Sequence, residues 1–162
     1  MDYVYGHDEL IGRFVMSLIP AYRGVDVVPP MSKTIGVIDA QGNLIAGLLY
    51  NNYDRQAGVI EVTTAALPGS RWLSRETIRI LFQYPFLQLG CQMIVSRVAE
   101  DDERLLRQLA ALNFTFIRFP RLLGRDKDAV ICHLTREAWE GSKFSQRYRH
   151  HVVDAPRQEE AA

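Results

Sequence analysis

Between residues 34 and 66 three apolar, β-branched runs follow one another with only short turns between them, and this constrains the fold more than any other feature. Residues 34–40 form the first run, Gln41-Gly42-Asn43 is a turn, and residues 44–53 form the second run. That pattern predicts a β-hairpin. The segment LIAGLLY barely alternates, which predicts a strand covered on both faces. After a turn at 54–57, residues 58–66 read as a third strand, with Ile60 and Val62 on one face and Glu61 and Thr63 on the other.

Around this block the period changes. Residues 7–19 read as a helix with Leu10, Phe14 and Leu18 on a stripe that Ile11 and Val15 widen, stopped by Pro20. Residues 21–33 carry Gly24, Pro29 and Pro30 and read as a loop. After the loop LPGSRWL at 67–73, Ser74 is an N-cap and Glu76 suits the first turn of a helix running to about Tyr84, where Pro85 must kink or end it. Residues 91–98 read as a fourth strand. Asp101, Asp102 and Glu103 then open a helix whose buried stripe is Leu105, Leu106, Leu109 and Leu112, and Asn113 suits a left-handed C-terminal cap. Residues 114–119 and 128–135 read as closing strands around a basic loop at 120–127. A helical turn is expected around Ala138. The organisation expected is one domain over 1–140 and a polar, loosely ordered tail over 141–162.

The bulk numbers narrow the class. A chain of 162 residues with 48% hydrophobic and 23% charged residues suits one domain with one sizeable core. With 19 basic and 19 acidic residues the net charge is zero, so no global field draws in nucleic acid or anionic membrane. Cys91 and Cys132 sit in apolar stretches and read as buried free thiols, and four dispersed histidines make no zinc site, so no metal is expected. The N-terminus lacks the apolar core of a signal peptide, and no run reaches the roughly 20 apolar residues of a membrane span. A cytoplasmic protein is the expectation.

The central strand–helix–strand unit favours a parallel pair with a right-handed crossover, while the hairpin and the closing strands favour antiparallel neighbours. The fold class expected is therefore α/β of the mixed kind, a mostly antiparallel sheet with one splayed parallel pair and helices on both faces. A crevice opens where parallel strands part, and the helix starting near Ser74 aims its free N–H groups into it, a site for phosphate or pyrophosphate.

This order of elements resembles the GNAT superfamily of N-acetyltransferases over roughly residues 34–135. IGVIDAQGNLIAGLLYNNY resembles the family's central hairpin. GVIEVTTAALPGSRWLSRETIRILF resembles its strand, phosphate loop and coenzyme helix, and CQMIVSRVAEDDERLLRQLAALNFTFIRF its following strand, helix and strand. The chain also resembles a subset of such domains found in phage and prophage genomes. The resemblance implies acetyl-CoA as co-substrate and a primary amine, of a small molecule or a protein, as acceptor. It implies coenzyme contacts at Thr64, Ala65, Ala66, Gly69, Ser70, Arg71, Trp72, Leu73, Ser74 and Asp102. Glu61 would be the general base, and Tyr84 is a further candidate proton donor. The chain departs from the family in its phosphate loop, where PGSRWLS stands for Q/R-x-x-G-x-G/A. It departs again at Asp102, where asparagine is frequent, at Leu109, where many members place a tyrosine, and at Asn113, where glycine is usual.

Bland readings stand beside these. Glu61 also reads as a partly exposed strand glutamate paired with a cation, the 69–74 stretch as an ordinary capped loop, and His133 as a core or edge histidine. Arg118, Arg121, Arg125 and Lys127, with Arg147 and Arg149, read as a solvated face, and His150 and His151 as tail residues. Two alternatives to an acetyltransferase follow. One is a catalytically silent domain that binds a partner, as a homodimer or in a phage-related particle. The other is a nucleic-acid-associated domain using the 118–127 region.

Overall fold

The computed structural model describes residues 1–22, 24, 25 and 27–144. In chain order the elements are β1 (Asp2–Val4), α1 (Asp8–Ser17), a 3-10 turn (Pro20–Tyr22), β2 (Lys33–Ile38), β3 (Leu44–Asp54), β4 (Val59–Ala66) and α2 (Arg75–Phe82). A π-helical turn (Gln83–Gln88), β5 (Met93–Ala99), α3 (Glu103–Ala111), β6 (Thr115–Gly124), β7 (Lys127–Thr135) and α4 (Arg136–Glu140) complete them. The strands form one seven-stranded sheet in the order β1-β2-β3-β4-β5-β7-β6. Every neighbouring pair is antiparallel except β4 and β5. The mixed, mostly antiparallel sheet with one parallel pair is the architecture expected.

The two faces are covered differently. Leu48, Tyr50, Ile60, Val62, Ile94 and Leu134 pack against Ile78, Leu81 and Phe82 of α2, Phe86 of the π-helical turn, Leu109 of α3 and Trp139 of α4. On the opposite face Ile11, Val15 and Met16 of α1 close over Leu49. Both faces of β3 are thus buried, which is why LIAGLLY does not alternate. Glycine lets α1 approach that closely. A Cβ at Gly47 would stand 2.6 Å from Val15 Cγ2, and one at Gly36 would stand 3.1 Å from Ile11 Cδ1.

Several details differ from expectation, each for a local reason. The buried stripe of α1 is rotated towards Ile11, Val15 and Met16, leaving Leu10 65% exposed, because β-branched side chains fill the space above the two glycines. The three-residue β1, paired with β2, is too short to show a period. Past Pro85 the chain keeps coiling instead of breaking. Regular α-helix ends at Phe82, and the missing N–H of Pro85 is absorbed in a wider turn in which the Leu89 and Cys91 amides bond the Tyr84 and Pro85 carbonyls. The expected basic loop at 120–127 is instead the end of a β6–β7 hairpin. Its register shifts between Phe119 and Gly124, and Arg121 takes a left-handed φ of 63°. Phe144 packs against the core just beyond α4. Arg147, Arg149, His150 and His151 lie outside the described residues.

Candidate active site

The β4–β5 ladder is short. It joins Val59 to Met93, Ile60 to Ile94 and Glu61 to Val95, and there it stops. Both strands continue, each held by its other neighbour. β4 stays paired with β3 as far as Ala66 opposite Ala46, and β5 with β7 as far as Ala99 opposite Ala129. Beyond Glu61 the two strands therefore diverge, and their facing edges have no strand partner. A cleft of about 490 Å³ fills the gap, walled by the ends of β4 and β5, the first turns of α3 and the 3-10 turn after α1.

Thr64, Ala65, Ala66, Ser70, Trp72 and Asp102 line this cleft. Gly69, Arg71, Leu73 and Ser74 are not among its walls. The reason lies in how the loop is tied down. Pro68 and Gly69, the latter at φ 78°, occupy the centre of a tight turn closed by the Ser70 amide on the Leu67 carbonyl at 3.1 Å. Proline then glycine with positive φ is the type II pattern, so this glycine serves the turn. Ser74 caps α2, its Oγ accepting from the Thr77 amide at 3.0 Å. Trp72 is only 7% exposed, packs into the core and is one of the walls of the cleft.

Glu61 sits on the last rung of the parallel ladder, partly buried, opposite Asn51 on one side and Val95 on the other. The same rung continues to His133 through Val95. Asn51 Oδ1 and His133 Nδ1 are buried with no hydrogen-bond partner among the described residues. Tyr84 lines a separate cavity of about 210 Å³ beside Asp8, Lys33 and Tyr50, packed edge-on against the Tyr50 ring at 4.9 Å, and is not among the walls of the cleft. The wide turn around Pro85 directs it there, and burial pushes its phenol above the ordinary value. Leu109 is buried in the core, and Arg104, Leu105 and Gln108 are the α3 residues that line the cleft. Tyr22 is the one tyrosine lining the cleft among the described residues. Nothing in the sequence marks Gln108, Tyr22 or Arg97 as site residues, since each arrives from an element remote in sequence.

The charges are unevenly committed. Asp102 Oδ1 accepts from the Leu105 amide at 3.1 Å and caps α3. Asp101 pairs with Lys127 at 3.4 Å. Arg118 bridges Glu100 and Asp128 at 2.7 and 2.8 Å, and Arg121 Nε donates to the Arg125 carbonyl, so much of the basic 118–127 segment is already engaged. Arg97 and Arg104 line the cleft with no side-chain partner among the described residues. Cys91 and Cys132 are buried free thiols, and burial pushes Cys132 up to about 12, so it carries no thiolate near neutrality. Among the described residues no three His, Cys, Asp or Glu side chains gather as metal ligands, and no helix is long and apolar enough to cross a membrane.

No protein-family model matches the chain, and no curated protein matches it either. Solved structures do. The dodecameric spermidine N-acetyltransferase of Vibrio cholerae aligns over 86% of this chain and 96% of its own, with a TM-score of 0.66 at 14% identity. Two point mutants of that enzyme each align over 91% of this chain, with TM-scores of 0.68 at 15% and 16% identity, covering 99% and 97% of their own chains. The chain therefore shares the fold of these spermidine N-acetyltransferase structures.

Proposed function

We propose that this protein is an acetyl-CoA-dependent N-acetyltransferase acting on a primary amine. The observation that carries the reading is the end of the parallel ladder at Glu61 and Val95, which leaves an open cleft bounded by unpaired strand edges, by the loop through Ser70 and Trp72 and by the start of α3. Main-chain groups along the β5-facing edge of β4, at Thr64 to Ala66, suit an extended pantetheine arm laid in as if it were a strand. The loop through Ser70 and Trp72, with Gly69, Arg71, Leu73 and Ser74 behind it, holds the start of α2 where pyrophosphate charge is favoured. Arg104, in the first turn of α3, adds a free cation on that side.

Acetyl transfer in this arrangement needs little beyond positioning and proton removal. The amine nitrogen attacks the thioester carbonyl carbon, and amide N–H groups of the β4 edge stabilise the oxyanion. Glu61 takes the proton from the attacking nitrogen, directly or through a water. The C–S bond then breaks, and the coenzyme thiolate leaves and takes a proton from solvent.

Calorimetry with acetyl-CoA tests the reading. Micromolar binding is expected, with a rise in melting temperature that grows with ligand; saturation at 100 times Kd adds about 2.7 kcal/mol of stability. No heat and no melting shift at millimolar acetyl-CoA overturns it.

A further inference from the structure

We infer that the acceptor carries a carboxylate close to its amine, and that Arg97 holds that carboxylate; this rests on the acetyltransferase reading and names its substrate class. Arg97 follows Val95 by two residues on β5, so it stands about 7 Å along the strand from the last rung of the ladder. Alternation along the strand puts Val95 and Arg97 on the face of Glu61, while Ser96 and Val98 turn towards the core that α2 and α3 cover. The coenzyme loop and both helix starts lie on that core side, and Arg97 projects on the α1 side. Arg97 thus projects on the same face as the proposed base, while the coenzyme loop and the helix starts lie on the other.

The charges on the cleft support an anionic group there. Its two aspartates are occupied, Asp101 by Lys127 and Asp102 by the start of α3. Opposite Arg97 in the sheet is Ile131, which offers it no charge. Arg97 is solvent-exposed, lines the cleft, and makes no hydrogen bond or ion pair with Glu61 or any other described side chain. A guanidinium fork at that place binds a carboxylate through two parallel N–H bonds and repels a polycation. A polyamine would put its second ammonium against Arg97. An amino acid or other short amino carboxylate would present its amine to Glu61 and its carboxylate to Arg97.

The test is acetyl transfer by the full chain at saturating acetyl-CoA, followed by free thiol release, with the standard amino acids, β-alanine and γ-aminobutyrate beside spermidine and putrescine. At least one amino carboxylate is expected to exceed spermidine in kcat/KM by about 10-fold or more. Arg97→Gln is expected to lower kcat/KM for it by about 10- to 100-fold, through KM. The KM for acetyl-CoA and the melting temperature should stay unchanged, and Arg97→Lys should recover part of the loss. Preference for spermidine, no turnover of any amino carboxylate by a chain that binds acetyl-CoA, or an Arg97→Gln effect on acetyl-CoA alone each overturns the inference. Absence of acetyl-CoA binding in calorimetry overturns the acetyltransferase reading itself, and the acceptor assignment with it.

Discussion

The Thr77 hydroxyl donates to the main-chain carbonyl of Trp72 across 2.6 Å, and this one bond decides the polarity of the contacts around it. A carbonyl only accepts, so Thr77 has spent its proton. The hydroxyls of Ser74, at 2.9 Å, and Tyr3, at 3.0 Å, must then donate to the Thr77 oxygen. The network ties the loop before α2 to the helix and to β1, at a residue with no exposed surface. Thr77→Val should cost about 1–3 kcal/mol in urea unfolding, since it removes the hydroxyl that bonds the Trp72 carbonyl and receives the Ser74 and Tyr3 hydroxyls. It should also weaken acetyl-CoA binding more than a substitution of equal cost elsewhere in the core.

Gly47 makes a sharper prediction about α1. A Cβ there would sit 2.6 Å from Val15 Cγ2 and 3.1 Å from Ile11 Cγ2, both on the buried face of the helix. Neither side chain has room to turn away, so the helix must lift. Gly47→Ala should lower the unfolding free energy by about 1–3 kcal/mol, seen as an earlier denaturation midpoint with an unchanged slope.

Glu61→Gln keeps the shape and hydrogen-bonding reach of the side chain and removes its basicity. If Glu61 takes the amine proton, kcat should fall by about 100-fold while acetyl-CoA affinity holds. Raising the pH should restore part of the rate, because more of the amine then arrives already deprotonated. An unchanged kcat in the variant assigns proton removal to solvent.

What the sequence made legible follows the range of the physics involved. The runs that became β2, β3 and β4 were readable because alternation and β-branching are local, and the parallel β4–β5 pair followed from the crossover between them. The cleft walls on β4 followed in turn, since Thr64, Ala65 and Ala66 lie past the point where the pair must part. Gly69 was misleading because a glycine needed for phosphate approach and one needed for a type II turn look alike in sequence. The course of the chain past Phe82 was not legible, because a π-helical turn around Pro85 replaces the regular helix there. The two closing strands were readable, but the extension of their hairpin through residues 120–124 was hidden by Pro120 and by a register shift that only pairing reveals. Tyr22, Arg97 and Gln108 converge from three separate elements, a relationship that exists only once the sheet has formed.

The last prediction concerns pH and the start of α1. Asp8 accepts from the Thr34 amide at 2.7 Å, the Thr34 hydroxyl at 3.0 Å and Lys33 Nζ at 3.0 Å, so one carboxylate fastens α1 to β2. Burial pushes its pKa up, but the hydrogen bonds from Lys33 and Thr34 and the lysine's charge outweigh it, and the net shift is downward from 3.8. A carboxyl whose folded pKa lies below its unfolded one contributes its stability in full above the unfolded value and loses it as pH falls through the folded value. The contribution should therefore be flat through neutrality and fade only below about pH 3.8. Asp8→Asn keeps one acceptor and loses the charge, so it should be less stable than the parent by about 1–2 kcal/mol at pH 7. Urea unfolding in steps from pH 7 to pH 2.5 should show the two proteins parallel at first, then converging on the acid side. A gap that persisted at the lowest pH would mean that the carboxylate's charge contributes nothing, and that the shape of the side chain alone holds α1 to β2.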